Sequence, residues 1–519
     1  MAYSTTRSTF FCPAGTKWYW EFVPTTNYNY ASCGITTNSA AWDVNPGGTT
    51  DGHGVGFYDV EIDIDGTRTT PSGPAVTAWA SGDIIGFAYD VDANTLKYYI
   101  NGSLDYTFTS VPVSTDGPYS PTFGDFGGSV AATINVNFGA DSSFGGLKTA
   151  QGNQDGNSKG DFYYVPPTDY LALCTDNLSA PEIALPGDNF NTVLYTGTGV
   201  ARSITGVGFA PDFVWLKNRD TAGQFNILND TIRGADKQLS SNSTEAETSD
   251  SGVLTAFGSD GFSVGTASGS NESTKGIVSW NWKAGGSAVA NTAGTIDALV
   301  SANTTAGFSI VKFNEAGTGV AATIGHGLSQ APELVIGKPY NAGDGWRVGS
   351  DFLTSWAYIM RLQTTVAELT HVSFNNLAPT STLVNMGADG LNNTSYESVL
   401  YCFHSVEGYS KVGSYEGNGN SDDAGPFVYC GFKPAFLLVK ARDYVTDWVM
   451  YDNKRDTYNI VNNYLEPNTS DAEAVDSAED FDMLSNGFKI RSADIKLNHT
   501  VDYIFLAFAE SPFKYSNAR

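Results

Sequence analysis

One pattern organises most of this chain: Gly-x-x-Pro, an apolar run, then a lysine, met three times with one variation. It reads Gly208-Phe-Ala-Pro211-Asp-Phe-Val-Trp-Leu-Lys217, then Gly327-Leu-Ser-Gln-Ala-Pro332-Glu-Leu-Val-Ile-Gly-Lys338, then Gly431-Phe-Lys-Pro434-Ala-Phe-Leu-Leu-Val-Lys440. The middle copy carries two extra residues between Gly and Pro. Spacing downstream is close to constant, with 19 residues from Pro211 to Asp230, 19 from Pro332 to Asp351 and 18 from Pro434 to Asp452. Gly261 precedes Trp282, and Gly487 precedes Phe508, by 21 residues in both cases. A period of about a hundred residues is one small domain, well beyond the roughly 20–50 residues of a solenoid unit. Proline lacks an amide hydrogen and suits the first residue of a strand, so Pro211, Pro332 and Pro434 are expected at equivalent positions. A tandem array of this kind points to a rod or a surface layer before it points to an enzyme.

The 519 residues call for about three to five domains. Lys+Arg 28 against Asp+Glu 55 leaves a net charge of −27, which argues against binding naked nucleic acid or an anionic membrane through bulk charge. Charged residues make up only 16% of the chain, while Gly 56, Tyr 27 and Phe 30 are prominent, a balance that suits short strands joined by polar turns. Cys12, Cys33, Cys174, Cys402 and Cys430 are scattered without a CxxC pair, so they read as buried reduced thiols of a protein folded in a cytoplasm. The N-terminus lacks the apolar core of a signal peptide, and no apolar run reaches the roughly 18–20 residues of a membrane span.

Along the chain, Lys17-Trp-Tyr-Trp-Glu-Phe22 begins the first clear strand, and Gly82-Asp-Ile-Ile-Gly through Asp90, Asp92 and Asn94 to Asn101-Gly102 reads as strand, Asp/Asn turn, strand and hairpin. These residues, with the closing Thr133-Ile-Asn-Val-Asn-Phe138-Gly139, resemble the SPRY domain. The resemblance implies a concanavalin-like β-sandwich over residues 1–145. It departs from the family at the start, where the strands before Trp18 are nearly absent, and an exposed edge is expected near Trp18 to Phe22. Residues 146–188 read as a connector. The repeats then cover 189–285, 306–408 and 409–519, with a Gly/Ala/Ser/Thr linker at 286–305. Asp230-Thr-Ile-Arg233-Gly234 with Leu239-Ser-Ser-Asn242, Gly408-Tyr-Ser-Lys-Val-Gly-Ser-Tyr-Glu-Gly-Asn-Gly419 and Ala507-Phe-Ala-Glu-Ser-Pro-Phe-Lys-Tyr-Ser-Asn517 resemble a β-rich domain of tailed-bacteriophage virion proteins that follows SPRY-like modules.

Candidate chemistry is sparse. Asp230/Arg233 and Asp452/Arg455 share one spacing, which suits an ion pair or turn clamp; a guanidinium could also grip a carboxylate or sugar hydroxyl. The middle copy has Phe-Leu-Thr354 after Asp351, without that arginine. Asp63, Asp65, Asp90, Asp92 and Asn94 have the oxygen chemistry of calcium ligands, but turns need the same residues for backbone reasons and no EF-hand spacing is present. Trp42, Tyr340 and Trp346 sit near Gly, Asp and Asn, which makes them candidates for sugar-stacking platforms on loops, although a lone Trp beside a sandwich edge is more often a core plug. His404 lies in a strand where Phe403 and Ser405 must point to the opposite face, which argues against a hydrolase centre. Paired carboxylates of a glycan-cleaving spike are not read from spacing, though the short parallel-coil repeat of such spikes is missing.

The expectation is an all-β chain of tandem sandwiches: a SPRY/jelly-roll-like domain and three related β-sandwich repeats in series. The resemblance implies a non-enzymatic virion protein made in the host cytoplasm, a tail fibre or exposed appendage taking part in host attachment. A capsid or tail decoration protein is the main alternative and a glycan-cleaving tailspike the minor one. Implied partners are other virion proteins, a host-surface glycan or protein, and further copies of itself, three if it forms a fibre. Cofactors are not expected, calcium aside, nor are nucleic acid or membrane insertion.

Overall fold

A computed structural model describes the chain except residues 1–3, 27–30, 38–53, 59–60, 66, 70–75, 113–117, 126–131, 315–319, 389, 394, 421–424, 476–479 and 517–519. It is an all-β structure in two compact units, Met1–Ser179 and Ala180–Arg519.

The first unit is a sandwich of two antiparallel sheets. One sheet runs in the spatial order Ser4–Arg7, Ser120–Asp125, Ala31–Thr36, Gly54–Tyr58, Glu61–Ile64, Thr67–Thr69; the other runs Thr133–Asn137, Lys17–Thr26, Ile85–Asp90, Thr95–Ile100, Ser103–Phe108. The period-two alternation of Lys17–Thr26 sorts its aromatics. Trp18, Trp20 and Phe22 enter the core between the sheets, where Phe22 meets Phe123 edge-on at 5.7 Å. Tyr19 and Val23 face the other way, against Phe162, Tyr170 and Phe144.

Two expectations fail here. The strand carrying Trp18 to Phe22 is no edge: it pairs along its length with Ile85–Asp90 on one side and with Thr133–Asn137 and Tyr170–Ala172 on the other. Nor is 146–188 a plain connector, because its first part covers the outer face of this sheet. Buried Glu21 staples it there, accepting the N–H groups of Tyr163 and Tyr164 at 2.8 Å each and the Tyr19 hydroxyl at 3.0 Å. Burial raises the Glu21 pKa, while those donors oppose the rise.

In the second unit the repeats are equivalent by register. Phe213 pairs with Trp282, Leu334 with Phe403 and Phe436 with Phe508, each two residues after the motif proline. The motif glycines Gly208, Gly327 and Gly431 all have positive φ, +90°, +75° and +82°, which is why glycine recurs there. Pro211 and Pro332 stand just before their strands, whereas Pro434 lies inside Phe432–Ala441 at a register shift. The same registers correct the sequence alignment. Phe213 faces Asp230 and Phe436 faces Asp452, but Leu334 faces Ser350, so Asp351 is one residue out of place. The first repeat has an extra residue in its hairpin loop, and this produced the coincidence of two 19-residue gaps.

The repeats do not run in series; they close on one another. Their inner sheets share a single core containing Phe213, Trp282, Leu334, Phe403, Phe436 and Phe508. Cross-repeat rings interlock, with Phe213–Tyr401 centroids 4.4 Å apart and Phe190–Phe508 4.8 Å apart. Each repeat also has a core of its own facing its smaller outer sheet. Residues 286–305, expected as a linker, contain the strands Val289–Asn291 and Ala298–Asn303, which extend the inner sheet of the second repeat.

Candidate functional site

The polar features singled out in the repeats come together at the seams between them. A cyclic pattern recurs at each seam. The Glu247 N–H donates to Tyr340 O (2.6 Å), the Glu368 N–H to Arg442 O (2.7 Å) and the Glu473 N–H to Arg219 O (2.7 Å). The acceptors are each two residues after the motif lysine, so the first repeat grips the second, the second grips the third, and the third grips the first. A reciprocal set runs the other way: Trp346 Nε1 donates to Ser240 O (2.8 Å), Trp448 Nε1 to Arg361 O (3.1 Å) and Asn226 Nδ2 to Glu466 O (3.1 Å). Closure of both rings is what makes three repeats one body.

Two seams carry a buried ionic clamp. At the first, Arg233 Nε donates to Asp230 at 2.6 Å, its Nη1 to Glu247 at 2.9 Å and its Nη2 to Leu228 O at 3.0 Å. The Tyr401 hydroxyl of the second repeat completes the site, donating to Asp230 at 2.8 Å. At another seam Arg455 repeats this with Asp452 (2.6 Å), Glu473 (3.1 Å) and Met450 O (2.8 Å). Here Trp280 of the first repeat supplies the polar tip, its Nε1 donating to Asp452 at 3.0 Å. Burial alone would lower the pKa of Arg233 and of Arg455, but the acids around each outweigh it and hold both above the usual value.

The remaining seam has neither the buried aspartate–arginine pair nor the polar tip, although Arg442 and Glu368 approach across it at 3.8 Å. Ser350 and Leu353 occupy the Asp and Arg positions, and the residue matching Tyr401 and Trp280, two before the paired aromatic, is Leu506. Leu353 and Leu506 both join the shared core. A charged clamp thus occurs only where the facing strand brings a hydrogen-bond donor, because a buried ion pair must have its remaining oxygens satisfied.

The motif lysines are buried too. Lys217 Nζ donates to Gln224 O at 2.6 Å, Lys338 to Pro339 O and Ala342 O at 2.9 and 3.2 Å, and Lys440 to Ala441 O and Tyr444 O at 2.9 and 3.1 Å. Each ties down its hairpin loop without a carboxylate at the ammonium, and burial lowers each pKa to about 8.

Other sequence-derived candidates fall away from a binding role. Tyr340 and Trp346 are 5% and 0% exposed, both in the shared core, so they are core plugs and not sugar platforms. Gly and Asp flank them because they sit at a hairpin turn that the neighbouring repeat covers. Trp42 lies outside the described residues. Around the proposed calcium oxygens the geometry is that of turns: Asp90 accepts the Ala93 N–H and pairs with Lys17 at 3.1 Å, Asp92 accepts the Gly15 N–H, and Asp65 accepts the Gly54 N–H. Among the described residues no three acidic, His or Cys side chains gather as a metal site. His404 is buried with Nδ1 against Ser405 O, and burial pushes the nearby Cys402 thiol up to about 12. Sequence reasoning missed Tyr401, Trp280, Glu247 and Glu473. The first two were findable as polar-tipped residues two before Phe403 and Trp282; the glutamates stand at unequal distances from their arginines.

Fold and seams together define an all-β protein in which a sandwich precedes a closed ring of three homologous β-sandwiches. The SPRY family model matches residues 17–141. A second model, described as a domain of unknown function, DUF7483, matches residues 185–512, more than half the chain. The chain therefore belongs to the DUF7483 family, whose unit embraces all three repeats. Similar solved structures include the SPRY domain of human HERC1, 15% identical over 26% of this chain and 82% of that one with a TM-score of 0.22. A human SPRY domain gives 15%, 26%, 84% and 0.19, and the TRIM65 PSpry domain 17%, 23%, 64% and 0.18. No curated protein matches the chain.

Proposed function

We propose that this chain is a structural protein of a tailed-bacteriophage virion, a tail fibre or other exposed appendage that takes part in host attachment and catalyses nothing. The observation that carries the structural role is where the signature residues of the repeats go. Their Asp, Arg, Glu and Lys side chains hold repeat to repeat and loop to strand, so the three repeats form one closed body. The virion assignment rests on the resemblance of the Asp230–Gly234, Leu239–Asn242, Gly408–Gly419 and Ala507–Asn517 sequence segments, and of the module order, to phage virion proteins. On this reading the partners are other virion proteins and a host-surface glycan or protein.

Gold-labelled antibody against the purified chain, applied to virions of the phage that encodes it, is expected to mark the tail. Purified protein added first to host cells is expected to slow adsorption. Label over the capsid with no effect on adsorption would favour the decoration role instead. Virions free of label would end the proposal.

A further inference from the structure

The three homologous strands beside the central strand of each inner sheet meet three different fates. They are Phe190–Thr196, Phe308–Asn314 and Ser410–Glu416, equivalent because Phe190, Phe308 and Ser410 face Trp282, Phe403 and Phe508. In the second repeat the outer edge of this strand is paired, Ile310 with Ser301 and Lys312 with Leu299, by Ala298–Asn303. In the third repeat it is blunted. The Ser405 hydroxyl accepts the Val412 N–H at 3.0 Å, Val406 and Ser410 exchange backbone bonds at 2.9 and 3.1 Å, and the strand carries Lys411 and Glu416.

In the first repeat the strand ends its sheet among the described residues. Its ladder is fixed at both ends by Lys283 N–H to Asn189 O and Gly197 N–H to Lys275 O, so alternation turns the N–H and C=O of Thr192, Leu194 and Thr196 outward. Side chains cap the flanks, Asn191 Oδ1 accepting the Thr192 N–H and Arg202 donating to Thr196 O. Leu194 between them is 37% exposed. The strand Phe-Asn-Thr-Val-Leu-Tyr-Thr has no charge, proline or glycine, the devices that normally protect an edge.

We propose that Phe190–Thr196 is a dimerisation strand, pairing antiparallel with the same strand of a second copy about a two-fold axis at Leu194. Self-pairing is favoured by the strand's near-palindrome, Thr-Val-Leu-Tyr-Thr. It sets Leu194 against the partner's Leu194, Thr192 against the partner's Thr196 and Val193 against the partner's Tyr195. Thr–Thr and aromatic–β-branched pairs are among the favourable cross-strand combinations. Two copies of a chain with net charge −27 repel each other, and this uncharged strand is a place where they can meet without adding local repulsion. A two-fold pair of chains replaces the trimer that a fibre-type assembly implied; each chain already holds a ring of three repeats. The proposal is independent of the virion role: unlabelled virions would leave it standing.

Sedimentation velocity on the full chain should show a dimer at micromolar concentration. Leu194→Lys sets two ammonium groups opposite each other and should weaken the dimer at least about tenfold, with the melting temperature kept when both proteins are compared as monomers at high dilution, since the side chain is exposed. Ser414→Lys, at the equivalent position of the blunted edge, should leave the dimer intact. In a Cys174→Ser background, Leu194→Cys should be joined by a short bismaleimide into a covalent dimer and Ser414→Cys should not, a readout that does not depend on the lysine variant folding. A wild-type monomer at every concentration, or a dimer that survives Leu194→Lys and fails to cross-link at 194, would overturn the proposal.

Discussion

At the seam of the first two repeats, Asp230 takes bonds from Arg233 and from Tyr401, 171 residues away in sequence. Removing one member of such a buried set leaves the others charged and unpaired. Arg233→Ala is therefore expected to cost about 3–5 kcal/mol and Tyr401→Phe about 1–2 kcal/mol. Urea denaturation of the two variants and of the double variant checks this, and the two losses should not add, because both act on one carboxylate. The aspartate–arginine half of this site was legible from two equal spacings. Tyr401 was not, since nothing local in a strand says which distant strand its alternate residues will face.

At the scale of single elements, the motif strands end in lysines whose ammonium groups bond only to carbonyl oxygens. Folding lowers their pKa to about 8 from the usual 10.5 of a lysine, so above pH 8 these groups bind more protons in the unfolded chain than in the native one. Stability should then rise from pH 8 to about 9.5, the upper limit being set by the onset of tyrosine ionisation near 10 in the unfolded chain. Chemical denaturation at fixed ionic strength should show this slope, and Lys217→Met should reduce it. A slope that falls over that interval, or is the same in the variant, would count against a lowered lysine pKa in these loops. The recurrence of the lysine was visible in the sequence from the outset. Its role was not, because a lysine closing a strand reads equally well as a solvated end.

For the molecule as a whole, the decisive fact about Ala180–Arg519 is that its repeats close. A linear array of sandwiches tolerates loss of its last member; a ring does not. Residues 180–519 alone should fold and stay soluble, whereas 180–408 should aggregate, because losing the third repeat uncovers Phe190 and Trp282, which pack on Phe436 and Phe508. A soluble, cooperatively melting 180–408 fragment, judged by light scattering and circular dichroism, would return the repeats to a string. The sequence by itself determined the all-β class, the SPRY-like sandwich, the three-fold repetition and the Gly and Pro positions. These follow from local rules: side-chain alternation, turn chemistry, positive φ at glycine and the missing amide of proline. Tertiary structure decided that the repeats share one core, that Tyr340 and Trp346 are inside it, that 286–305 contributes two strands to a sheet and that Leu353 and Leu506 join the shared core where the other repeats have clamp residues. Those outcomes depend on which apolar faces meet after each repeat has folded, and a periodic sequence looks the same whether its faces meet water or one another.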